Sequence, residues 1–118
     1  MYAQRGHGKR SSFYSDFTFG IWNEEKIVPI GKAYSGFTDK ELDKLDKFVR
    51  SNTINRFGPV RETIKKVVFE IAFDSISESK RHKSGIALRF PRISKIRWDK
   101  PIDEVEDLKK IKKDFNII

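Results

Sequence analysis

The 118-residue sequence predicts a mainly β fold: a small five-stranded barrel with one internal helix and one C-terminal helix. Three observations carry this. Apolar and polar residues alternate over several short stretches, the period of a strand with one face buried. Only two stretches, opening at Thr38 and Pro101, show helical spacing behind a capping signature. Ten Phe, three Tyr and two Trp supply bulky side chains for one core. A chain of this mass buries about two thirds of its unfolded surface, which suffices for a single domain over residues 1–118.

Residues 1–12 are Gly-rich and basic and read as a leader. Residues 13–100 hold the barrel. Phe13, Ser15, Phe17, Phe19 and Ile21 share one face of the first strand, with Tyr14, Asp16, Thr18, Gly20 and Trp22 on the other. Asn23–Lys26 is a hairpin turn. The second strand sets Val28, Ile30, Lys32 and Tyr34 on one side, and Pro29, which lacks an amide donor, puts it at an edge or a bulge. Thr38 and Glu41 form a capping box, and Leu42, Leu45, Phe48 and Val49 follow at helical spacing, so a helix spans 39–51. Residues 51–61, with Phe57-Gly58-Pro59, read as a connection.

Val67 to Phe73 reads as a third strand, with Val67, Phe69, Ile71 and Phe73 alternating with Val68, Glu70 and Ala72. Asp74–Ser84 is polar, with the cluster Lys80-Arg81-His82-Lys83. Ile86, Leu88 and Phe90 alternate with Ala87 and Arg89; after Pro91, Ile96 and Trp98 alternate with Lys95 and Arg97. Residues 101–118 form the C-terminal helix, with Ile102, Val105, Leu108, Ile111 and Phe115 on its apolar face and lysines near its end. Five strands, a long internal helix and strong basicity fit an OB-type barrel; an SH3-like barrel fits the strand count too.

Composition excludes several classes. No apolar run approaches the length of a membrane span, and the N-terminus has no apolar signal core. Zero cysteines exclude disulfides and thiolate chemistry, and two histidines, His7 and His82, cannot build a multi-histidine metal site. We therefore expect no metal site and no membrane partner. The formal net charge of +8 and pI near 9.8 suit a polyanion.

The densest chemical signal is 87–101, Ala-Leu-Arg-Phe-Pro-Arg-Ile-Ser-Lys-Ile-Arg-Trp-Asp-Lys-Pro. On a strand Lys95, Arg97 and Asp99 point one way, and a carboxylate beside a guanidinium holds it in one orientation. Such a group can grip the oxygens of a triphosphate tail and stabilise a leaving pyrophosphate. It can equally be an exposed strand face with a surface ion pair.

Residues 85–101 closely resemble the last signature motif of ATP-dependent DNA ligases, Leu-Arg-Phe-Pro-Arg followed by Arg-x-Asp-Lys. Gly6-His7-Gly8-Lys9-Arg10 with Phe17-Thr18-Phe19, Gly31–Thr38, Phe69–Phe73 and Arg81–Gly85 resemble the family's C-terminal OB domain in the same order, the last matching its bacterial branch. The family's nucleophilic Lys-x-Asp-Gly tetrad is absent. The resemblance thus implies the C-terminal piece of a longer ligase that acts in replication, repair and recombination, inactive without its nucleotidyltransferase domain.

It further implies that Arg97 and Lys100 contact the β and γ phosphates of ATP, with Asp99 orienting them near the Mg2+. ATP and Mg2+ belong to the full-length enzyme, and neither is bound tightly by this fragment. Lys9, Arg10, Arg81, Lys83, Arg89 and Arg92 are the candidates for backbone contacts to nicked double-stranded DNA. The remaining partner is the nucleotidyltransferase domain of the same chain. A monomeric fragment is expected, cytoplasmic and nucleoid-associated in a bacterium or archaeon. The rivals are a free-standing OB protein for single-stranded nucleic acid, the equivalent domain of an RNA ligase or capping nucleotidyltransferase, and a protein-interaction domain.

Overall fold

Alternation along residues 14–23 builds the longest strand, and the remaining elements assemble around it. The computed structural model describes residues 1–6 and 13–116. Among these residues the order is β1 (Tyr2–Arg5), β2 (Tyr14–Asn23), β3 (Lys26–Ala33), α1 (Asp39–Ser51), β4 (Thr53–Phe57), β5 (Val60–Thr63), β6 (Val68–Ala72), β7 (Ser75–Glu78), β8 (Ile86–Arg89), β9 (Arg92–Arg97) and α2 (Leu108–Asp114). The fold is mainly β with the two expected helices. Nine strand segments replace the expected five. They form an antiparallel sheet β3-β2-β1-β5-β4 and two ribbons, β6-β9 and β7-β8. The ladders do not join into a closed barrel, but all three sheets feed one core: Phe17, Phe19 and Ile21 from β2, Leu45 and Val49 from α1, Ile86 from β8, Ile93 and Ile96 from β9.

In β2 the inward residues are those the alternation names, with Tyr14 buried as well. Strand β3 is an edge, as Pro29 requires, and the β2 register shifts between Phe19 and Gly20, opposite Gly31 and Pro29. That shift buries Ile30 and Ala33, so Lys32 and Tyr34 do not continue the inner face. Helix α1 has the expected bounds and capping box: Glu41 N donates to Thr38 Oγ1 at 3.2 Å, and Thr38 N to Glu41 Oε1 at 2.8 Å. Before it, Gly36 adopts φ +96° against β9, where a Cβ would overlap the Ile93 carbonyl. The neighbouring Ser35 carbonyl accepts from Ile93 N at 3.0 Å, tying the entry of α1 to β9.

Four expectations are corrected. The leader is not all loop: Tyr2–Arg5 inserts as β1 between β2 and β5. The connection 51–61 contains a hairpin, β4–β5, turning at Gly58 (φ +61°). The polar stretch after Asp74 opens with β7. The C-terminal helix is shorter than 101–118: a 3-10 turn at Ile102–Glu104, an extended Val105, and then α2 with Asp107 as N-cap. Strand β2 explains the break. Trp22 N donates to the Glu106 carbonyl (3.1 Å) and Trp22 Nε1 to the Ile102 carbonyl (2.9 Å), holding this segment in extended form.

Candidate phosphate site and nucleic-acid interface

Strand β9 carries the central cation. Its register with β6 shifts between Glu70 and Ile71, leaving Ser94 unpaired, so Ile93 and Ile96 both reach the core although three residues apart. Arg97, the last residue of β9, then meets two carboxylates. Asp99 receives it through two bonds, Nε to Oδ1 at 3.2 Å and Nη2 to Oδ2 at 3.1 Å. Glu70 on β6 accepts from Nη1 at 2.7 Å. The Asp99 hydrogen bonds, then Glu70, raise the Arg97 pKa further. The same contact with Arg97 holds the Asp99 carboxyl below its usual range. These bonds occupy three of the five guanidinium N–H groups and leave two for a ligand.

Lys100 follows in the same turn, its amide donating to the Arg97 carbonyl at 3.3 Å. It also lines an apolar cavity of about 390 Å³ between the sheets, as does Glu70. Trp98 points to α1, edge-to-face with Phe48 (centroids 6.4 Å apart), with Lys44 Nζ 4.2 Å from its ring centroid. Among the described residues no three His, Asp or Glu side chains converge as a metal site.

The structure pairs the Arg97 and Asp99 side chains, places Lys100 in the same turn through its backbone, and separates the other candidates. Arg81 and Lys83 are exposed in the β7–β8 loop, which His82 orders through Nδ1···Ser79 Oγ at 2.7 Å. Arg89 and Arg92 lie at the opposite end of that four-pair ribbon, which is roughly 10 Å long. Arg92 Nη1 donates to Asp74 Oδ1 and to the Phe90 carbonyl, both at 3.0 Å. The Arg89 guanidinium lies 5.1 Å from the Phe90 ring. Phe90 does not join Ile86 and Leu88 inside: at φ +53° it turns out and is 62% exposed. Lys9 and Arg10 lie outside the described residues. Glu70 escaped sequence reasoning; a lone carboxylate in the otherwise apolar third strand was the available signal.

Residues 10–100 match the family described as the ATP dependent DNA ligase C terminal region. The chain belongs to that family. It is similar to the probable DNA ligase of Koribacter versatilis, 49% identical over 105 residues that cover 89% of this chain and 18% of the relative. It is 46% identical to the probable DNA ligase of Opitutus terrae over 87% of this chain and 10% of that protein. With the DNA ligase of Archaeoglobus fulgidus it shares 35% over 90% of this chain and 20% of the relative. The chain thus spans a fifth or less of these ligases. Its Arg97–Lys100 turn ends the matched region.

Proposed function

We propose that this ligase C-terminal region works in an enzyme that seals nicked duplex DNA with ATP, and that the Arg97–Lys100 turn holds the β and γ phosphates during adenylylation of the enzyme's lysine. The observation that carries the reading is the bidentate Asp99 contact. It fixes the guanidinium plane and leaves donors to spare, as recognition of a phosphate tail requires. Arg97 and Lys100 then oppose the charge that develops on the departing pyrophosphate. Asp99, held against Arg97, would orient these cations beside the Mg2+ that the triphosphate carries. Other cations, among them Arg81, Lys83, Arg89 and Arg92, meet the phosphate backbone of the duplex. Alone, the region neither adenylylates nor seals. On this reading the protein works in the cytoplasm, at the nucleoid of a bacterial or archaeal cell.

The test uses the full-length ligase. Arg97→Ala and Lys100→Ala should each cut lysine adenylylation at least about tenfold while sparing the sealing of pre-adenylylated nicks, because the phosphates they hold have left by then. Equal loss of both steps would assign these residues to folding or DNA binding instead.

A further inference from the structure

Three arginines from three elements converge on one buried tyrosine. The guanidinium carbons of Arg5 (β1), Arg50 (α1) and Arg61 (β5) lie 5.5, 5.3 and 5.7 Å from the centroid of the Tyr14 ring. Tyr14 itself is 3% exposed. Among the described residues, Asp46 is the acid bonded to this group. Asp46, buried on α1, accepts from Tyr14 N through Oδ1 and from Arg50 Nε through Oδ2, both at 2.8 Å. Among the described residues no carboxylate stands within ion-pair distance of Arg5, Arg56 or Arg61. Arg56 on β4 is directly opposite Arg61 in the ladder. Like charges in that position repel and destabilise the pair.

Positive charge therefore accumulates at one end of the five-stranded sheet, and among the described residues Asp46 alone forms an ion pair with it. The ring contacts orient guanidinium groups without consuming their N–H donors. We propose that this arginine cluster around Tyr14 holds a phosphate group. Its forked donors match phosphate oxygens, and binding would relieve the Arg56–Arg61 repulsion. The phosphate comes either from a polynucleotide backbone or from a free nucleotide. The site is distinct from the Arg97 turn. Asp46 and Arg50 lie on one flank of α1, and Lys44 and Phe48, which meet Trp98, lie about 200° around the helix. The polynucleotide source rests on the DNA-binding reading above; the phosphate site itself does not.

The experiment follows the arginine Nε–Hε NMR signals of the 118-residue chain, first with inorganic phosphate and then with a nicked duplex. Duplex affinity is measured across salt for wild type, Arg56→Gln and Arg61→Lys. The expected result is saturable shifts of the Arg5 and Arg61 signals with both probes. The salt slope should fall by about 0.9 in Arg56→Gln, with Arg61→Lys keeping its slope but binding phosphate several-fold more weakly. Shifts with phosphate alone, and an unchanged duplex slope, would assign the site to free nucleotides. If neither probe moves these signals and the variants keep wild-type slopes and melting temperatures, the site is refuted, while duplex binding by the wild type leaves the earlier reading standing. Phosphate shifts without any duplex binding would do the reverse.

Discussion

Arg97 has five N–H donors, and Glu70 and Asp99 take three of them. Local spacing made half of this visible: Arg97 and Asp99 are two apart, close enough to pair, although Asp99 lies in the turn after β9 and not on the strand. Glu70 is 27 residues distant, and its meeting with Arg97 depends on a β6–β9 register set by a bulge that no local pattern announces. The pair has a pH signature. Asp99 has its folded pKa lowered from 3.8, chiefly by the Arg97 hydrogen bonds. Its contribution to stability is therefore present above pH 3.8 and is lost as pH falls through the lower folded value. Carboxyl carbon NMR should show Asp99 titrating below the ordinary aspartate range in wild type and moving up toward it in Arg97→Gln. An Asp99 midpoint that ignores Arg97→Gln would mean the pair does not persist in solution.

At the scale of elements, α1 is the part that positions most. One flank carries Asp46 and Arg50 to Tyr14, another carries Lys44 and Phe48 to Trp98, and Leu42, Leu45 and Val49 between them are buried. Its start depends on two reciprocal hydrogen bonds. Thr38→Ala removes the side-chain acceptor and should cost about 1 kcal/mol, read as a lower urea midpoint at unchanged slope. An unaltered midpoint would show that burial alone sets the helix start. This helix was legible in the sequence because cap, spacing and length agree. Strands β2, β3, β6, β8 and β9 were legible by alternation. Strand β1 was not, because four residues with only Ala3 buried present no period. Nor was β4, whose residues are nearly all exposed, so its pairing with β5 leaves no hydropathy trace. The overlong C-terminal helix failed for the opposite reason: Ile102, Val105 and Leu108 have helical spacing, but tertiary bonds to Trp22 hold the chain extended between them.

Across the whole molecule, the charge of +8 overstates some cations and understates others as DNA contacts. Arg50, Arg92, Arg97, Lys47, Lys109 and Lys110 each stand against a carboxylate. A phosphate that recruits one of these must displace that partner, and the freed carboxylate attracts a cation from solution, so the net ion release per contact is smaller. Arg81 and Lys83, exposed at the β7–β8 loop, have no such partner among the described residues. Arg81→Ala and Lys83→Ala should therefore each lower the slope of log affinity against log salt by about 0.9 in fluorescence anisotropy with a nicked duplex. Arg92→Ala should lower it less, since Asp74 already holds that guanidinium. If Arg92→Ala has the full effect, the Asp74 contact opens when DNA binds. If Arg81→Ala and Lys83→Ala leave the slope untouched, the β7–β8 ribbon lies off the DNA, and the footprint belongs to the face that carries Arg5, Arg56 and Arg61.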